Sequence, residues 1–173
     1  FFGWVHGAGT PVGIVAEMIA ATLNPNCGGR DHGAIYVERQ VIEWCREIFG
    51  LPEGTSGVLT VGTSMASVIA IAAPRTHALG ADGHDASRLV GYCSSQVHVA
   101  LKKAFKLLGL APNQLRVIPA EADFGLSPKR LAAAIAADRA SGREPFLVLG
   151  SAGTVKTGAF DDLASLAEIA ARE

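Results

Sequence analysis

Three short segments carry the residue types that hold or attack small molecules: Gly62-Thr63-Ser64, Ser94-Ser95 and Gly150-Ser151-Ala152-Gly153-Thr154. Each is rich in glycine and hydroxyls and poor in charge. That composition suits a phosphate or carboxylate gripped by helix-terminal N–H groups and Ser/Thr hydroxyls, although any one segment could equally be a helix cap. Ser64 also has the chemistry of a nucleophile, which would need a base and an orienting acid. His6 and His32 precede it outside any recognisable catalytic segment, and His77, His84 and His98 follow it ahead of any later carboxylate-bearing strand end. The simpler reading makes Thr63 and Ser64 donors to an anion at a helix start, where unmade backbone bonds and the helix dipole favour negative charge.

The elements that must position these segments are read from apolar spacing. Short apolar runs predict strands at 58–61, 89–93, 115–118 and 146–149, alternating with helices at 64–77, 95–108, 129–140 and from an Asp161 cap to the chain end. Ser127 as N-cap and Pro128 at the first helical position open the third of these. Pro74, late in the helix after Ser64, should kink or end it. Upstream, helices are expected over 11–23 and 34–49, the latter amphipathic with Val37, Val41, Trp44, Cys45 and Ile48 on one face. Strands alternating with helices mean parallel βαβ units, hence an α/β class with an open, mainly parallel sheet that binds ligands beyond the carboxyl ends of its strands. All three hydroxyl-rich segments fall there.

Composition narrows the partners. Fifteen basic residues against sixteen acidic ones, with no basic block longer than Lys102-Lys103, leave no footprint for nucleic acid or an anionic membrane. No apolar run reaches the roughly 20 residues needed to span a bilayer. Cys27, Cys45 and Cys93 are widely separated and lack metal-site spacing, so they are expected as reduced thiols of a cytoplasmic protein, Cys45 and Cys93 in the core, with no zinc. The chain opens inside Phe1-Phe2-Gly3-Trp4 and stops inside a helical pattern, and is read as part of a longer protein.

The segment Gly62-Thr63-Ser64-Met65-Ala66 looks like the nucleophile segment of subtilisin-like proteases, but position 68 is Val where that family has proline. An α/β-hydrolase with Ser64 as nucleophile stays a minor alternative. A broader resemblance covers nearly the whole chain. Phe1-Phe2-Gly3-Trp4, Phe49-Gly50-Leu51-Pro52, Gly62-Thr63-Ser64-Met65-Ala66, Ser94-Ser95-Gln96-Val97-His98, Gly153-Thr154-Val155, Thr157-Gly158 and Phe160-Asp161-Asp162-Leu163 occur in an order that resembles the pyridoxal-phosphate-dependent group II amino-acid decarboxylases, which include aromatic-L-amino-acid, tyrosine and glutamate decarboxylases.

The resemblance implies an aspartate-aminotransferase-like (type I) large domain, in part, and a homodimer acting on a small amino acid with pyridoxal phosphate. Residues 1–52 would form a helical segment with a substrate-side loop, and 53–173 the first part of the cofactor domain. Thr63 and Ser64 would bind the cofactor phosphate, Ser151 would lie near the cofactor, and His98 would stack on its ring and assist proton transfer. Trp4, Val5 and His6 would line the substrate side. No counterpart is expected here for the family's Schiff-base lysine or for the aspartate that pairs with the pyridine nitrogen, so the 173 residues alone should not decarboxylate. A sister lyase, an aldehyde-forming relative or a non-catalytic interaction subunit are the alternatives.

Overall fold

The computed structural model describes residues 7–26, 28, 31–80 and 85–173. They fall into two units, Phe1–Thr60 and Val61–Glu173.

In the first unit, α1 (Pro11–Leu23) starts where the Thr10 hydroxyl accepts from Gly13 N–H, with proline at the first position, and ends at Asn24 in the left-handed region. None of its residues is buried, and Val12, Met18 and Leu23 are among the most exposed apolar side chains described. The amphipathic α2 (Gly33–Ile48) receives the segment that follows it: Glu38 accepts from Leu59 N–H at 3.0 Å, and Ile42 lies against Gly57. Val37, Trp44 and Ile48 stay exposed on its apolar face.

The second unit opens with α3 (Thr63–Leu79), which continues five residues past Pro74. Then come β1 (Leu89–Ser94), α4 (Val99–Leu107), β2 (Leu115–Ile118), α5 (Pro128–Ala140), β3 (Glu144–Leu149) and α6 (Leu163–Arg172). The sheet runs β2-β1-β3 and both pairings are parallel, as the βαβ pattern requires. Side chains alternate across β1. Val90 and Tyr92 join Ile118, Leu126, Leu131, Ile135, Leu166 and Ile169 under α5 and α6, whereas Cys93 joins Ile71, Ala104, Phe105, Leu110 and Leu115 under α3 and α4. Gly91 allows this second face to close, because a β-carbon there would stand 2.7 Å from the Phe105 ring.

Four sequence expectations are corrected. Residues 58–61 form no strand: the segment joins neither edge of the sheet, Leu59 N–H goes to Glu38, and Val61 is 95 % exposed. A strand exists only where a neighbour takes its backbone groups. The fourth helix begins at Val99 and not at 95, since Ser95 N–H is taken by Ile118 O at 2.8 Å and continues the sheet's rim. Asp162, not Asp161, caps α6, accepting from Ser165 N–H. Cys45 is exposed, on an apolar face of α2 where Val37, Trp44 and Ile48 are also exposed; Cys93 is fully buried as expected, and Cys27 lies outside the described residues.

Burial pushes the Cys93 thiol up to about 11, with Lys102 nearby acting in the opposite direction. An alkylating reagent at neutral pH is therefore expected to modify Cys45 in the folded chain and to reach Cys93 only after denaturation, read by peptide mass mapping. Equal labelling of both thiols in the folded chain would contradict this packing. No described helix is long and apolar enough to cross a membrane.

Candidate active site

The first turn of α3 carries Thr63 and Ser64, both exposed. It follows Gly62, whose φ of 111° is one that other residues rarely adopt, and no side chain caps the turn. The Thr63 carbonyl is engaged by the Ser67 hydroxyl at 2.8 Å, and Ala66 N–H closes the helix onto Gly62 O. Farther along, α3 packs on α4 and β3. A helix start with exposed hydroxyls and no side-chain cap fits a phosphate.

The carboxyl ends of the three strands are tied into one rim. After β1, Ser94 Oγ accepts from Gln96 N–H at 3.1 Å, and Ser95 Oγ accepts from Ala120 N–H beyond β2 at 3.0 Å. After β3, the 150–160 loop folds on itself: Thr154 N–H bonds Ala159 O at 2.9 Å, Gly158 N–H bonds Thr154 O at 2.8 Å, and Ala152 bridges to Phe160. Thr154 is buried beneath this turn, while Ser151 is half-exposed at its mouth. Asp161 links the two outer strand ends, accepting from Leu126 N–H after β2 and from Ser151 N–H after β3, each at 2.7 Å.

His98 is the N-cap of α4, its Nδ1 accepting from Ala100 N–H at 3.2 Å. The proton of the neutral ring therefore lies on Nε2. The side chain stands exposed at the end of the loop leaving β1. His98, Ser151 and the Ser95 clamp thus occupy adjoining strand ends. Trp4, Val5 and His6 lie outside the described residues. Lys156 is exposed in the 150–160 loop, and Lys102, Lys103 and Lys106 are on α4. Among the described residues no group of three or more His, Cys, Asp or Glu side chains comes together to hold a metal.

The sequence signalled the hydroxyls but missed Asp161. Its one clue was the doublet Asp161-Asp162 before an apolar helix, where a single carboxylate suffices as cap.

Comparison with known proteins identifies the family. The family model for the pyridoxal-dependent decarboxylase conserved domain matches residues 1–173. The chain is 33 % identical over 171 residues to an aromatic-L-amino-acid decarboxylase of Bacillus atrophaeus, covering 98 % of this chain and 35 % of that protein. The crystal structure of Rhodiola rosea 4-hydroxyphenylacetaldehyde synthase superposes with a TM-score of 0.89 at 29 % identity, over 98 % of this chain and 38 % of that one. That of Catharanthus roseus tryptophan decarboxylase with L-tryptophan gives 0.83 at 34 % identity, over 94 % and 37 %. The chain thus spans little more than a third of the length of these relatives. Its α/β unit is part of a type I pyridoxal-phosphate fold, and pyridoxal phosphate is the cofactor of the family. A match that runs from the first residue to the last, on the same parallel α/β framework, establishes that the chain belongs to the pyridoxal-dependent decarboxylase family.

Proposed function

We propose that the protein to which this chain belongs removes the carboxyl group of an aromatic L-amino acid, releasing carbon dioxide and the corresponding amine, as a cytoplasmic homodimer. The observation that carries the reading is the exposed His98 and the half-exposed Ser151 at adjoining strand ends of a unit whose α3 opens on the exposed hydroxyls of Thr63 and Ser64. In this reading the N–H groups of the first turn and the Thr63 and Ser64 hydroxyls hold the phosphate of pyridoxal phosphate. Ser151 contacts the cofactor from the β3 loop. His98 covers the ring and, through Nε2–H, holds the reacting group while a proton is delivered. When bound, the cofactor supplies the electron sink that makes loss of carbon dioxide feasible.

The residues proposed for the substrate wall are Trp4, Val5 and His6. An aromatic substrate is favoured because residues 1–10 hold no lysine or arginine to pair with a side-chain carboxylate. The homodimer is proposed from membership of this family alone. The covalent lysine and the pyridine-nitrogen aspartate are expected outside this chain, which by itself is expected to be inactive. A second reading, release of an aldehyde in place of the amine, is supported by the likeness to the Rhodiola rosea synthase.

The test is to supply the full-length protein with pyridoxal phosphate and a panel of aromatic and acidic L-amino acids. Carbon dioxide with amine is the expected outcome, aldehyde selects the second reading, and neither product sinks both. In the same protein, joint replacement of Thr63 and Ser64 by alanine is expected to weaken cofactor binding by about 100-fold or more, since hydrogen bonds to a charged group contribute about 1.5–3 kcal/mol each. Turnover at saturating cofactor should change much less.

A further inference from the structure

We propose that Asp161 is a positioning residue for the cofactor site: its carboxylate sets the place of Ser151 by tying the loop after β3 to the loop after β2. The inference rests on the pyridoxal-phosphate reading above. Asp161 is 5 % exposed, and among the described residues no cation forms an ion pair with it. Its two oxygens are divided between two backbone amides, Oδ1 taking Leu126 N–H and Oδ2 taking Ser151 N–H. Asp161 N–H returns a bond to Ser151 O at 2.9 Å, so residues 151 and 161 grip each other reciprocally. Leu126, 2 % exposed, belongs to the core that also holds Val90, Tyr92, Ile118 and Leu131. Ser151 is thereby referenced to the core through one carboxylate instead of riding on a free loop.

A carboxylate is required chemically. Both partners are N–H donors, and an ionised aspartate accepts at both oxygens, whereas asparagine offers one acceptor and would turn its NH₂ toward the other amide. Asp161→Asn is nearly isosteric and removes the dual acceptance, leaving one loop untethered. Its neighbour Asp162 serves as control: it caps α6 through Ser165 and touches neither loop.

The experiment uses the full-length protein and two readouts, pyridoxal-phosphate affinity from cofactor absorbance and hydrogen exchange by mass spectrometry. Asp161→Asn should raise the cofactor dissociation constant by about 10-fold or more and speed exchange in the peptide carrying Ser151 or the one carrying Leu126. Asp162→Ala should lower thermal stability with the cofactor constant unchanged. In the unsubstituted protein, adding pyridoxal phosphate should slow exchange at both loops together, a measurement that stands even if Asp161→Asn does not fold. Equal affinity in wild type and Asp161→Asn, equal loss in Asp162→Ala, or protection of the Ser151 loop alone would each overturn the role of Asp161. A wild-type protein that binds no pyridoxal phosphate would instead remove the functional reading, and this inference with it.

Discussion

Replacing His98 by alanine in the full-length protein is expected to lower the turnover number about 100-fold or more, the range set by losing a positioned group that assists proton transfer. The structure adds a complication and its remedy. His98 also caps α4, so the alanine variant forfeits the bond from Ala100 N–H and with it about 1 kcal/mol. A fall in activity alone would therefore confuse loss of the ring with fraying of the helix. Asparagine separates the two, because its side-chain oxygen can accept from the same amide while offering no imidazole. Stability should recover in His98→Asn and turnover should not. The cofactor absorption should change in both variants, since the ring proposed to lie over the pyridine is gone in both. Unchanged turnover and unchanged absorption in His98→Ala would remove His98 from the site.

That cap was invisible in the sequence, where the helix was expected to start at 95, and the reason is physical. Periodicity reports which residues face the core, and residues 95–98 carry one core-facing side chain, Val97, that a helix could also have placed there. What decides the start is a contact across the sheet, Ser95 N–H to Ile118 O, which no local pattern encodes. Asp161 was misread for the same reason: an aspartate before an apolar helix is an ordinary cap, and its true partner Leu126 stands 35 residues away. By contrast β2 and α5 lie where the sequence puts them. In β2 the apolar run is anchored on both faces, Leu115 in the cluster under α3 and α4 and Ile118 in the one under α5 and α6, and in α5 Ser127 and Pro128 mark the start chemically. The expected strand at 58–61 had the right composition and lacked only a neighbour, which composition cannot supply. Of the candidate site, the position of Thr63 and Ser64 at a helix start and of Ser151 just after a strand was legible, because glycine beside them marks backbone that must turn.

The largest stability effect is expected from Asp138, which joins three elements at the core. Its carboxylate accepts from the Tyr92 hydroxyl of β1 at 3.0 Å and from the Arg116 guanidinium of β2, with Nη2 at 2.6 Å and Nε at 3.0 Å. Tyr92 is fully buried and the Asp138 side chain is 8 % exposed, while Arg116 reaches solvent with 37 % of its side chain. Asp138→Ala strands the tyrosine hydroxyl without an acceptor and leaves the arginine unpaired, a change worth about 2–4 kcal/mol once the access of Arg116 to water is allowed for. Asp138→Asn keeps an acceptor for Tyr92 and should cost less. The pH profile has a definite sign. Hydrogen bonds from Arg116 chiefly, and from Tyr92, hold the Asp138 carboxyl below its ordinary range against the opposing effect of burial. Its contribution is therefore present above the unfolded value of about 4 and lost as pH falls through the lower folded value. Burial first, then the neighbouring Asp138 carboxylate, pushes the Tyr92 hydroxyl well above its ordinary value. That contribution is complete below about 10 and declines as pH rises beyond it. Denaturant midpoints across this range should trace a plateau with an acid and an alkaline limb. In Asp138→Ala the plateau should drop and the acid limb flatten, while the alkaline limb, set mainly by burial of Tyr92, should persist. An acid limb as steep in Asp138→Ala as in the wild type would mean that other carboxylates govern acid stability, and that the Arg116–Asp138–Tyr92 junction is only a bystander.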